Sequence, residues 1–172
     1  MNLASGVPAA APSFTFYSAA ASSNTIAGGS TTRAVNSITV VGNIGNGGTL
    51  TINGVDGGTT GGTKTLSLDY INGDVAFTNT DCSNCRNAFI SVNGGSAVQV
   101  QMPISAQVNP LSLSLLSSGD LRIHHTHQQS WDILYSGYLV SLSGFQPGQT
   151  NTIQISNPNA YTPDFYQIGV SI

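Results

Sequence analysis

Three histidines and two cysteines carry most of the reactive chemistry in this chain. His124, His125 and His127 fall in one short run, and His125 and His127, one residue apart, would share one side of a strand and could share an ion. Against that, nothing nearby is expected to offer a buried carboxylate second shell, and an inserted loop closing around a metal loses conformational entropy. No functional metal site is expected there. Cys82 and Cys85 lie in TDCSNCRN, a polar stretch without the strand-turn-helix setting of a redox enzyme. A small loop-closing disulfide is the favoured reading and a pair of free thiols the next, since half a zinc site would need a second ligand pair. Oxidation would suit an extracellular protein, and secretion is the expectation.

Hydrolytic chemistry finds little to work with. The seven acids are all aspartates, mostly in turn-like contexts such as VDGG and NGD, and no pair is marked as two carboxylates flanking a bond. No G-x-S-x-G elbow is present, and the histidines do not form a triad with a marked serine. The chain is expected not to be an enzyme. The glycine clusters Gly45 to Gly48 and Gly57 to Gly62 lead into no helix and no GK[ST], so they read as turns and not as phosphate loops.

Charge narrows the partners. The net charge is −3, and the four basic residues, Arg33, Lys64, Arg86 and Arg122, are scattered, which leaves no footprint for a phosphate backbone. Nucleic acid is excluded as an expected partner. So is a membrane, because no apolar run approaches the roughly 20 residues of a spanning helix. The opening MNLASGVPAAAPSF lacks the basic start and unbroken apolar stretch of a signal peptide. Residues 1–13 are read as a disordered or trimmed segment.

The elements that must position these side chains are strands. A chain of 172 residues fits one domain with a core between packed layers. Charged residues make up 6% and hydrophobic ones 40%, a balance that argues against both a solvated helical surface and disorder. Two-residue periodicity marks TLTI (Thr49 to Ile52), TLSLDY (Thr65 to Tyr70), AFISVNG with Ala88, Ile90 and Val92, and VQVQM (Val98 to Met102). It continues in YLVSL (Tyr138 to Leu142), NTIQI (Asn151 to Ile155) and QIGVSI (Gln167 to Ile172), with turns such as NGG and PGQ between. No amphipathic helical stretch interrupts them, so a sandwich or barrel of antiparallel strands is expected over 14–172. One segment breaks the rhythm. Val108 to Gln129 is a Leu/Ser run ending in the histidines, and it reads as an insertion whose residue types suit a retained short intron.

From Phe16 onward several blocks carry a family resemblance: YSAAASSNTIAGG, VVGNIGNGGTLTINGV, LDYINGD followed by CRNAFISVNGG, SWDILYSGYLVSLSGFQPGQTNTIQISNP, and YTPDFYQIGV. In this order they resemble carbohydrate-binding module families 35 and 6, in particular the modules beside fungal alpha-galactosidases and galactan-degrading enzymes. The resemblance implies an all-β jelly roll of two antiparallel sheets with ligand held by loops at one end. It implies non-catalytic binding of a galactose-containing or related plant polysaccharide, as an accessory to a glycoside hydrolase domain. A sugar ring needs an aromatic platform for its C–H face and fixed amides or carboxylates for its hydroxyls. Trp131 falls where the family places a stacking aromatic, beside Asp132, and a core tryptophan is the rival reading. Asn157 in ISNP matches the family's loop asparagine, with a plain turn asparagine as its rival. Tyr161 would add a second aromatic face or fill a gap between sheet edges. Arg86 would reach a ligand carboxylate, or, the better reading, pin the Cys82 to Cys85 loop through Asp81 or Asp74.

Departures from the family matter as much. Asn43 in VGNIG stands where many relatives have an aromatic, so one wall of the usual sugar sandwich is missing. Ser18 and Ala20 in YSAA replace glutamates that help hold a structural calcium in relatives. Asp164 survives, Tyr166 replaces a second acid, and no calcium or other cofactor is expected. A jelly roll whose sugar site has decayed is the alternative to a working binder.

Overall fold

The computed structural model describes residues 12–73, 86–105, 113–115, 121–123 and 133–172. His124, His125, His127, Cys82, Cys85, Asp74, Asp81, Trp131 and Asp132 lie outside them.

Described strands in chain order are β1 (Phe14–Ser18), β2 (Thr25–Ala27), β3 (Thr31–Val35), β4 (Ile38–Gly42), β5 (Thr49–Val55), β6 (Gly62–Ile71) and β7 (Arg86–Val92). They continue with β8 (Val98–Met102), β9 (Leu113–Leu115), β10 (Leu121–Ile123), β11 (Tyr135–Phe145), β12 (Asn151–Ser156) and β13 (Asp164–Ser171). One sheet has the order β11-β6-β13-β4-β3, with β1 also on β13; the other has the order β2-β5-β12-β7-β8. Every pairing is antiparallel. The expected all-β sandwich of two antiparallel sheets is what forms. All seven periodic runs fall on strands, QIGVSI overrunning β13 by Ile172 alone, and the NGG that ends the β7 run turns into β8 with Asn93 and Gly94 at positive φ.

The core follows from the alternation. Leu50 and Ile52 of β5, Ile153 and Ile155 of β12, and Ala88 and Ile90 of β7 turn inward from one sheet. Leu66, Leu68 and Tyr70 of β6 and Phe165, Ile168 and Val170 of β13 face them from the other. Each such side chain contributes on the order of 1.5–3 kcal/mol by leaving water. Asn53 and Gly54 break the two-residue rhythm of β5 where its pairing with β12 shifts register, and Gly54 takes φ 70° there. The bulge restores phase, so Val55 is buried as well.

Four strands at the start of the chain are additions to the periodic set read from sequence. β2 is only three residues long, and β3 buries Val35 alone, so neither shows a usable pattern. The β3–β4 hairpin instead closes a second, smaller cluster of Val35, Val40 and Ile71, packed by Ile38, Leu134 and Tyr166. Within the segment read as an insertion, β9 and β10 pair with each other and with neither main sheet.

Tyr70 sits at the centre of an aromatic group and is fully buried, its hydroxyl donating to the Pro103 carbonyl at 3.0 Å. Burial, and then the neighbouring phenols of Tyr135 and Tyr138, hold its pKa far above the usual tyrosine range. An unfolded chain releases that proton near pH 10, as an ordinary exposed phenol does. The stabilisation is therefore complete below about pH 10 and is lost as pH rises beyond it. In alkaline unfolding followed by circular dichroism, the wild type should lose stability more steeply above that pH than Tyr70→Phe, which has no proton to lose. Equal slopes would refute the assignment.

Candidate functional site

Pairing at the strand ends collects the loops. Ile71 lies opposite Asp164, Val41 opposite Phe165, Thr31 opposite Gly42 and Ala27 opposite Thr49. One end of the sandwich therefore carries the β2–β3, β4–β5 and β12–β13 connections together, with the exits of β6 and β8 and the entry of β11.

Backbone contact welds these loops. Gly45 and Gly48 exchange two hydrogen bonds of 2.9 and 2.8 Å, closing a tight turn. Asn46 N–H donates to the Asn157 carbonyl at 2.9 Å, and Thr162 N–H to the Ile44 carbonyl at 2.8 Å. Gly45 has φ 121°, and a Cβ there would stand 2.0 Å from the Ala160 carbonyl oxygen. Only glycine lets the two loops approach this closely. Ser30 Oγ donates to the Asn43 carbonyl at 3.3 Å and ties in the β2–β3 turn.

Three of the residues singled out from sequence come together here. Tyr161 bridges to Gly45 through its backbone and leaves its side chain 48% exposed. Among the described residues nothing hydrogen-bonds its hydroxyl or packs a ring against it. Asn43 is exposed at φ 56°, a left-handed conformation that asparagine tolerates, and its Nδ2 donates to Thr31 Oγ1 at 3.1 Å. Asn157 is 4% exposed. Its Nδ2 donates to the Asn87 carbonyl at 2.9 Å, and its Oδ1 accepts from Asn159 N–H at 3.0 Å and Ala160 N–H at 3.2 Å. This is the hydrogen bonding of a turn asparagine, which shapes the loop under Tyr161. Beside it, the buried Oδ1 of Asn87 has no hydrogen-bond partner among the described residues.

Arg86 acts across the same end. Its guanidinium donates to the Thr162 carbonyl at 3.1 Å and so braces the β12–β13 loop, while Asp74 and Asp81, considered from sequence, lie outside the described residues.

The residues at the family's calcium positions do not fit the ion. Asp164 contributes one carboxylate, and that is paired at 2.5 Å with Arg33 Nε. The carbonyl oxygens of Ser18 and Ala19 both accept from Asn24 Nδ2, at 2.9 and 3.0 Å. Calcium takes six to eight oxygen ligands with several carboxylates. A guanidinium on the acid and an amide on the carbonyls satisfy these oxygens with neutral or cationic donors from the chain itself.

One polar side chain of this kind, and one aromatic, escaped the sequence reading. Asn24 gives no signal, because its partners become neighbours only when the β1–β2 turn forms. Tyr135, 37% exposed at the entry of β11, lies just outside the periodic run that begins at Tyr138.

Known structures share this architecture. A family 35 carbohydrate binding module from Clostridium thermocellum superposes with a TM-score of 0.65, covering 92% of this chain and 98% of that one at 20% identity. The fold is that of a family 35 carbohydrate-binding module. This chain also superposes on part of an exo-beta-1,3-galactanase from Phanerochaete chrysosporium solved with galactose, at a TM-score of 0.64 and 25% identity, over 94% of this chain and 30% of that one. No protein-family model matches the sequence. Among curated proteins, probable alpha-galactosidase D of Aspergillus flavus is 50% identical over 54 residues, which is 30% of this chain and 8% of the relative. The protein of the same name from Aspergillus terreus is 32% identical over 117 residues, 63% of this chain and 16% of the relative. The chain thus spans a small part of the length of the curated relatives it matches.

Proposed function

We infer that this domain binds a neutral, galactose-containing polysaccharide at the loop end, as a non-catalytic accessory module of a glycoside hydrolase. The observation that carries the reading is Tyr161, an aromatic ring left half-exposed on a loop whose backbone is locked from below. A rigid exposed ring costs little entropy when a pyranose C–H face settles on it. Exposed Asn43 and Asn46 border it with amides that suit sugar hydroxyls. The names of the relatives, a galactanase and alpha-galactosidases, support galactose as the sugar. Trp131 and Asp132 complete the site in this reading. It also takes the protein as secreted, with Cys82 joined to Cys85, without resident calcium or other cofactor, and with residues 108–129 as an insertion. Nucleic acid and membranes are not partners.

The hydrogen bonds of Asn157, and an asparagine at position 43, favour a second reading in which the jelly roll has lost its ligand. Affinity electrophoresis in gels containing beta-1,3-galactan or galactomannan separates the two. Retardation of the wild type is expected, with Tyr161→Ala weakening it by about three- to tenfold at unchanged melting temperature. A wild type that migrates freely through every galactose-containing polymer would leave the remnant reading standing.

A further inference from the structure

Tyr135 is the second exposed aromatic near this end of the sandwich. It lies opposite Tyr70 at the entry of β11. Tyr135 and Tyr138 are three positions apart, so regular alternation would send the two rings to opposite faces. The register shift between them, with Gly137 at φ 81°, brings both onto Tyr70 instead. Tyr135 stacks on Tyr70 with ring centroids 5.2 Å apart and planes 8° from parallel. Tyr138 meets both edge-on, at 6.0 Å from Tyr70 and 5.9 Å from Tyr135.

The bulge is pinned from the other face of the sheet. Gly137 N–H donates to Asp69 Oδ1 at 2.8 Å, while Asp69 Oδ2 accepts from Gln167 Nε2 at 2.7 Å. Asp69 is 5% exposed, so these bonds are shielded from water. They hold the turn of backbone that aims Tyr135.

The three phenols divide their work. Tyr70 donates to the Pro103 carbonyl and Tyr138 to the Gln101 carbonyl at 2.8 Å, so both clamp the exit of β8. No described residue hydrogen-bonds the Tyr135 hydroxyl. Tyr70 is fully buried and stacks on one face of the Tyr135 ring, Tyr138 is the one other described ring that meets it, and Tyr135 as a whole is 37% exposed. A flat ring backed by a rigid wall, part-exposed and with no described partner at its hydroxyl, suits the face of a pyranose and needs little reordering to receive one.

Its place in the sheet decides what kind of ligand it would meet. Tyr70 pairs with Tyr135 on one side and Phe165 on the other. Tyr135 is therefore two strand spacings, about 10 Å, from the root of the loop that carries Tyr161. We propose that Tyr135 is a second sugar-stacking platform, held by the Asp69-pinned bulge, which extends the site so that it takes an oligosaccharide and not a single galactose unit. This rests on the carbohydrate-binding reading above.

Titration calorimetry with galactose and with a beta-1,3-linked galacto-oligosaccharide tests it on the wild type, Tyr135→Leu and Tyr135→Phe. Leucine keeps an apolar cover over Tyr70 but has no ring, and thermal melts check that the variants fold. The wild type is expected to bind the oligosaccharide more tightly than galactose. Tyr135→Leu should lose about three- to tenfold on the oligosaccharide with galactose unchanged, and Tyr135→Phe should stay closer to wild type. A folded Tyr135→Leu that binds the oligosaccharide as the wild type does overturns this inference alone. A wild type that binds neither sugar overturns the carbohydrate reading and this one with it.

Discussion

Asn151→Ala is expected to lose about 3–5 kcal/mol of folding stability in urea denaturation, a large part of what a domain of this size has. Asn151 is fully buried at the end of the sandwich away from Tyr161. Its Nδ2 serves the carbonyls of Val55, Gln146 and Gly148 at 3.1, 2.9 and 3.0 Å. Its Oδ1 accepts from Gln146 N–H at 2.6 Å and from Asn93 Nδ2 at 2.7 Å. One carboxamide thus joins the end of β5, the β11–β12 loop and the β7–β8 turn. Alanine would strand several of these groups, and a buried polar group without a partner costs about 1–3 kcal/mol. A measured loss below about 1 kcal/mol would mean that water replaces the amide, and that the loop is less sealed than its hydrogen bonds indicate.

Gly45→Ala should do comparable damage at the opposite end and remove saccharide binding as well. The added Cβ would stand 2.0 Å from the Ala160 carbonyl oxygen and 3.0 Å from its carbon, both backbone atoms that cannot swing aside. At φ 121° an alanine is also strained in its own backbone. Relief requires the β4–β5 and β12–β13 loops to part, which breaks the Asn46 to Asn157 and Thr162 to Ile44 hydrogen bonds. A loss of about 3 kcal/mol or more is expected, with retention in galactan gels abolished even where the protein remains folded. Gly47→Ala is the matched control. Gly47 has φ 97° but nothing within 4 Å of its added Cβ, so it bears conformational strain of about 1–2 kcal/mol without a clash. Equal melting temperatures for the two variants would refute the close-packing account of the loop end.

Both substitutions act on contacts between residues far apart in the chain, and the same distance separates what could be read early from what could not. Strands β5 to β8 and β11 to β13 announce themselves, because each turns alternate apolar side chains into one core and the two-residue period is local. Strands β2 and β3 do not, because their burial is slight and their pairing supplies the order instead. Which strand lies beside which is not local either. β12 inserts between β5 and β7, and β13 between β6 and β4, so the sheet order depends on closing long loops.

The candidate site divides in the same way. Tyr161 and Asn43 were nameable from their neighbours in sequence, since residue types need no fold. For Asn157 the chain alone left two roles open. Its Nδ2 partner, the Asn87 carbonyl, is 70 residues away, and only the folded backbone shows the amide committed to its own loop. Asp164 looked like the remnant of an ion site until the β3–β4 hairpin brought Arg33 against it. Tyr135 stayed hidden for a simpler reason: a bulge reverses alternation, and nothing in a two-residue pattern tells where one strand slips against the next. Composition and periodicity thus determined the layers and the polarity of the surface, because those depend on near neighbours. Tertiary structure decided which side chains are spent on holding loops and which face solvent, because those choices are made by partners that folding alone brings within reach.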